Sequence, residues 1–301
     1  MNIRTSLLLW LPLLLVVLVE SVHCAWYGRK SALARLLTLE GAVALDGVFQ
    51  LFYYVVLPAA YAFAGCWTVP GLLLLASKQA FIGANFHGIA GTLGLGTGPA
   101  AVIAWLLLND FARYLSHMAL HKVPFLWTHH KVHHAVTDFN IIAGNRVSLA
   151  EVHCHMLFNL AVTGVLFGTR APDVLFGVLL AANVINVMQH TGLPWDYGPL
   201  KYIFVSPRHH RMHHSVHPSD LDRNFATLFS FWDYAFGTVS ARYAQQSSRA
   251  DECALGLPDA QETATIEGSV LRTLLHGTFA GLAMDAWTQR RRRPTDAREL
   301  A

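Results

Sequence analysis

Charge is scarce in this chain. Asp, Glu, Lys and Arg make up 14% of its 301 residues against 53% hydrophobic ones, roughly half the charge density of an ordinary soluble domain. That deficit argues against a surface solvated on all sides and points to a membrane. Cysteine is sparse as well: Cys24, Cys66, Cys154 and Cys253 are scattered with no C-x-x-C pair, which excludes a thiolate metal site and gives no sign of a disulfide framework. The net charge of +3 is too small to argue for nucleic acid, so no such partner is expected. No internal repeat or low-complexity tract is present.

Histidine is what the chain has in excess. Ten of its 17 histidines fall in three clusters, His117-x-x-x-His121, His129-His130-x-x-His133-His134 and His209-His210-x-x-His213-His214. Two imidazoles at i and i+4 share one helix face, and His-x-x-His-His spreads three over an arc of roughly 100°, so each cluster can converge on a centre beside its helix. Neutral imidazole suits iron, zinc, copper or nickel. Histidines crowded together without a metal would lose hydration and repel one another on protonation. Each of the last two clusters holds one histidine more than the pattern requires, and helical geometry does not choose between His129 and His130 or between His209 and His210. His190, at the end of an apolar stretch, stands at the same expected depth. His153 and His155 point to different helix faces and make poor co-ligands.

Apolar runs near the length of a bilayer-spanning helix lie at about 5–25, 41–64 and 98–118, with two shorter ones at 155–169 and 172–189 that read as a helical hairpin. The first, Leu7 to Val19 between Arg4 and Glu20, reads as a retained span, because Val22-His23-Cys24 is a poor signal-peptide cleavage site. The fold class expected is all-α, a polytopic membrane bundle of four or more spans with a histidine-rich cap. The glycine-rich stretch 71–97 reads as interfacial or re-entrant. Basic residues at Arg29-Lys30, Arg35, Arg208, Arg211 and Arg290–Arg293 put the cap on the cytoplasmic side. That fits a bacterial inner membrane or the endoplasmic reticulum. The chain divides into N-terminal spans and interfacial segment (1–97), a functional unit (98–240) and a tail (241–301) with a polar loop at 241–263 and a basic amphipathic helix at 266–287.

Asp110, Tyr114, His117 and His121 stand at 0, +4, +7 and +11, one helical stripe. Asp110 reads as an acceptor that orients an imidazole, the alternative being an interfacial acid paired with Arg113, and Tyr114 reads as hydrogen-bonded beside it or as a tyrosine that anchors the interface. Zinc hydrolysis would need a general base such as the glutamate of His-Glu-x-x-His, yet His117 is followed by Met118-Ala119-Leu120 and no acid lies within the other two clusters. So many imidazoles exceed what one metal accepts. Two redox metals, all-nitrogen and without a hydrolytic base, suit dioxygen activation in a dry apolar pocket.

These motifs, with Trp127-Thr128 before the second cluster, Ser206-Pro207-Arg208 before the third, and Asp222-Arg223-Asn224-Phe225 and Trp232-Asp233-Tyr234-Ala235-Phe236-Gly237-Thr238 downstream, closely resemble the integral-membrane fatty acid hydroxylase superfamily. That superfamily includes sterol desaturases, sterol methyl oxidases and the alkylglycerol-cleaving monooxygenase. The likeness covers about 105–240. It implies that His117, His121, His130, His133, His134, His190, His210, His213 and His214 ligate two irons, leaving His129 and His209 as neighbours. Asn140 and Arg146 match a further stretch, and with Asp110 and Tyr114 they complete the candidate catalytic residues. In Arg146-Val147-Ser148 the chain follows the ether-lipid branch, whereas Ala226 replaces a usual glycine. Also implied are a bilayer lipid as substrate, dioxygen as co-substrate, and an external electron donor, cytochrome b5, ferredoxin or a pterin. Two other readings remain. An acyl-lipid desaturase has similar histidine spacing but lacks the Trp-Asp-x-x-Phe-Gly-Thr ending. A divalent-metal transporter would line its spans with ionisable groups, and spans 41–64 and 155–189 carry only Asp46, Arg170 and Asp173, all near ends.

Overall fold

The computed structural model describes residues 3–56, 88–94, 98–167, 184–245, 253–267 and 270–276. Among these the protein is helical, with no strand and only two isolated bridges, Phe204 with Phe229 and Ser215 with Leu255. No helix among the described residues is long and apolar enough to cross a membrane. The turn of the expected hairpin, most of the 71–97 segment and the stretch after 276 lie outside the described residues.

Helix α1 (Ile3–Trp26), α2 (Ala32–Leu37) and α3 (Gly41–Leu51) form the N-terminal part, and α3 runs on as one π-helical turn over Phe52–Val56. After the short α4 (Gly88–Thr92) comes α5 (Pro99–Lys122), the element on which the site is built. Pro99 opens α5, where its missing N–H costs nothing. Pro124 ends it: the preceding Val123 is forced to extended backbone, and Pro124 then starts α6 (Pro124–His134) in a new direction. This corner folds α6 back on α5 and turns the first two histidine clusters toward each other. Helix α7 (Leu149–Phe167) and a helical segment at 184–189 follow. In α9 (Pro207–His213), counting 184–189 as α8, the Ser206 hydroxyl accepts from the His209 N–H at 3.1 Å. The short helices α10 (Phe231–Ala235), α11 (Ala241–Ala244), α12 (Ala260–Glu267) and α13 (Val270–Leu275) complete the order.

Contacts cross both of the boundaries read from the sequence. Arg35 pairs with Asp138, and the Gln50 side chain donates to the Ile142 carbonyl at 2.7 Å. Val16 and Ala32 pack on Ile141. The tail also differs from the loop expected at 241–263, since α12 begins inside it. The Asp259 carboxylate caps α12, accepting from the Gln261 and Glu262 N–H groups, and Leu257 and Ile266 bury against Val132 and Ala135 of the α6 region. Too few apolar residues mark this face for a helical period to stand out in the sequence. The described part of the expected 266–287 helix, through His276, buries Ile266, Thr273 and Leu274 in the protein.

Candidate metal centre

Four elements converge: α5 with His117 and His121, α6 with His130, His133 and His134, His190 just after the 184–189 helix, and α9 with His210 and His213, capped by His214. Their imidazoles form two groups, His117, His121, His130, His134 and His213 in one, His133, His190, His210 and His214 in the other. Within each, one ring nitrogen per residue lies within 4.8 Å of all the others. Because successive histidines on α6 and α9 point to different sides, both helices feed both groups. The groups therefore adjoin, with the His134 and His214 rings stacked at 4.3 Å between centroids. Gly144 permits the close packing on His190, since a Cβ there would stand 2.9 Å from the ring.

Several imidazoles are held from behind. His117 Nδ1 donates to the Phe225 carbonyl at 2.8 Å, His213 Nδ1 to the Arg223 carbonyl at 2.8 Å, His190 Nδ1 to the Asn186 carbonyl at 3.0 Å, and His130 Nδ1 to Glu151 Oε1 at 2.7 Å. A carbonyl or carboxylate can only accept, so each neutral ring carries its proton on Nδ1 and turns a bare Nε2 inward. His121 Nδ1 lies 3.6 Å from Asp222 Oδ1.

That arrangement tests whether a cation fits. The bare Nε2 atoms of His117 and His130 face each other at 3.2 Å, and His190 Nε2 lies 3.2 Å from His133 Nε2 and 2.9 Å from His210 Nε2. The facing lone pairs of His117 and His130 repel unless a positive centre shares them. Nitrogens of His121, His133, His134, His210, His213 and His214 are buried without a hydrogen-bond partner, an arrangement costly for polar groups that have no ligand. Both groups fit metal ions that accept nitrogen donors, iron and zinc among them.

Burial, with mutual repulsion between neighbouring rings, pushes His121, His133, His134, His210, His213 and His214 well below the usual histidine range, and burial takes His190 down to about 4. Neutral rings are the form that ligates metal. The unfolded chain takes up these protons near pH 6.5 and the folded chain only below that. The stability this contributes is therefore complete above pH 6.5 and is lost as pH falls toward about 4. Protein stripped of metal by a chelator is expected to show denaturant midpoints that drop steadily from pH 7 to 4.5. A flat response would mean that the rings are hydrated and not buried as a block.

The other residues singled out in the sequence sit elsewhere. Asp110 orients no imidazole: Oδ1 accepts from the Thr227 hydroxyl at 2.9 Å and the Leu228 N–H at 3.0 Å, and Oδ2 from the Phe229 N–H at 3.1 Å and the Trp232 indole at 3.0 Å. Tyr114 hydrogen-bonds to Thr238 Oγ1 at 2.9 Å and packs on Phe225 and Val205. Asn140 donates to Asp46 at 3.1 Å and accepts from the Ile142 and Ala143 N–H groups, while the buried Arg146 pairs with Asp46 and Glu267. These four hold together the frame around the histidines and make no hydrogen bond to them in any contact observed. His129 and His209 fall outside both groups. The His129 ring meets Phe125, and His209 Nε2 lies 3.3 Å from Asp233 Oδ2.

Sequence reasoning missed Glu151, the acid beside His130. Burial pushes its carboxyl up, but the His130 imidazole and the hydrogen bonds from His130 and His155 hold it well below the usual carboxylate range. Its signal was Ser148-x-x-Glu151 opening an apolar helix, a helix-start spacing. Also missed were the carbonyls of 223 and 225, which side-chain motifs cannot reveal. They are aimed by Asn224, at φ 58° with its side chain bridging His209 O and Ser240 N, and by Asp233, which accepts from the Phe225 and Ala226 N–H groups.

Fold and site together define a helical protein that buries two adjoining, all-imidazole groups able to hold metal. Residues 102–238 match the model of the fatty acid hydroxylase family. The chain is similar to the alkylglycerol monooxygenase of Caenorhabditis elegans, 31% identical over 48% of this chain and 28% of that protein. It is also similar to the ornithine lipid hydroxylase of Rhizobium tropici, 29% identical over 46% and 41%, and to a cholesterol 25-hydroxylase-like protein of Danio rerio, 36% identical over 45% and 54%. It thus spans at most about half the length of these relatives. No solved structure matches it.

Proposed function

We propose that this protein is a membrane-bound oxidoreductase that hydroxylates a lipid, with two irons held by the nine grouped histidines. The adjoining five- and four-histidine groups carry this reading, because an all-nitrogen pair of sites suits redox metals. When bound, the metal pair would supply the activation of dioxygen needed to oxidise an unactivated C–H bond, with electrons from an external protein or pterin donor. The chain's own contribution is positional. The Arg223, Phe225 and Asn186 carbonyls and Glu151 fix ring tautomers and orientation before any metal enters. Phe139, Phe225 and Trp127 pack against the imidazoles and keep water off them.

A lipid substrate is supported by the names of the relatives, which act on an alkylglycerol, an ornithine lipid and, by likeness, cholesterol. Exposed apolar side chains on α1 (Leu14, Leu15, Leu18, Val22) and α5 (Ile103, Leu107, Leu108, Leu115) support a bilayer around those helices. On this reading the histidine cap faces the cytoplasm. Protein purified in detergent and supplied with reductant and a total lipid extract is expected to consume dioxygen and to place one labelled oxygen atom from the gas in a lipid product. One tightly held zinc with no oxygen uptake on any lipid fraction would overturn the proposal in favour of a hydrolase.

A further inference from the structure

The two histidine groups differ in what stands behind them. The five-histidine group has carboxylates at two of its outer nitrogens, Glu151 at 2.7 Å from His130 and Asp222 at 3.6 Å from His121. Behind the four-histidine group the only hydrogen-bond acceptor among the described residues is the neutral Asn186 carbonyl, and the outer nitrogens of His133, His210 and His214 have no partner. Asp222 is 43% exposed at its side chain and shared with Lys122 at 2.7 Å, so solvent and the ammonium screen it. The Glu151 side chain is 1% exposed. Its Oε1 also lies 3.4 Å from His155 Nε2, and its Oε2 is buried without a partner. A carboxylate kept dry beside a metal-facing imidazole raises that ring's basicity and fixes its tautomer.

We propose that Glu151 is the positioning residue that makes the two groups unequal: it locks His130 with Nε2 inward and gives the five-histidine group the firmer hold on its metal. This rests on the reading of the grouped histidines as ligands of two metals. Glu151→Gln separates charge from position, because the amide oxygen can still accept from His130 Nδ1 while the negative charge is gone. Glu151→Ala removes both, and Glu151→Asp keeps the charge.

The test loads metal-free protein with one and then two equivalents of iron-57, records Mössbauer spectra, and measures the rate at which a chelator removes each equivalent. The wild type is expected to give one dominant doublet at the first equivalent and a second doublet at the next. In Glu151→Gln the first-filled equivalent should leave about tenfold faster and its doublet should move, with the second equivalent unchanged. In Glu151→Ala the loss should approach about 100-fold, with partial recovery in Glu151→Asp. Superimposable spectra and chelation rates in wild type and Glu151→Gln would overturn the assignment. So would equal weakening of both equivalents, since that is the mark of general structural damage. If Glu151→Ala does not fold, the near-isosteric Gln variant decides. A wild type that never takes up two equivalents would instead overturn the underlying reading of the site.

Discussion

Replacing His213 or His133 with alanine is expected to cost at least one of the two metal equivalents and to reduce lipid oxidation below detection, while helix content stays near that of the wild type. His213 belongs to the five-histidine group and His133 to the four-histidine group, so the pair samples both. Changing a residue that merely orients a ligand typically costs 10- to 100-fold, and removing the donor itself should exceed that. The fold should survive, because the frame around the site is held by Asp110, Asp233 and the Arg146 pairings. Metal analysis alongside circular dichroism separates the outcomes. Full metal and full turnover in both variants would show that the two groups are packed histidines with no ligating role.

Asp110→Ala should act on stability instead of on metal chemistry. The carboxylate receives hydrogen bonds from the Thr227 hydroxyl, the Leu228 and Phe229 N–H groups and the Trp232 indole. Alanine would strand those donors in the interior at about 1–3 kcal/mol each, partly relieved by water, for a total on the order of 3–5 kcal/mol. That is a large share of the stability of an ordinary domain. Thermal unfolding of the metal-free variant measures it directly. A loss under about 1 kcal/mol together with weakened metal binding would restore the role read from the sequence, in which Asp110 orients an imidazole.

Asp110 lies on the stripe that the sequence marks but serves a different partner. The stripe was legible: Asp110, Tyr114 and His117 all lie on the buried face of α5. The depth along the stripe was not. One helical turn is about 5.4 Å, so Asp110, two turns from His117, meets the 227–232 segment while His117 meets the imidazoles. Asn140 and Arg146 were likewise found as a motif, without a partner for either. Their partners, Asp46 and Glu267, come from segments far away in the chain that the sequence had placed in other units. Glu151 stands outside all three histidine clusters in the sequence, and a buried carboxylate only needs to be near in space.

What the sequence determined by itself was the helical character and the clustering of imidazoles at helical spacing, because these depend on periodicity within a turn or two of chain. Tertiary structure decided how nine imidazoles divide into five and four, which of each histidine pair points inward, and which acid stands behind which ring. Those outcomes depend on the angles at which α5, α6, α7 and α9 pack. Packing angles follow from ridges, buried apolar contacts and distant hydrogen bonds between segments, which local patterns do not encode.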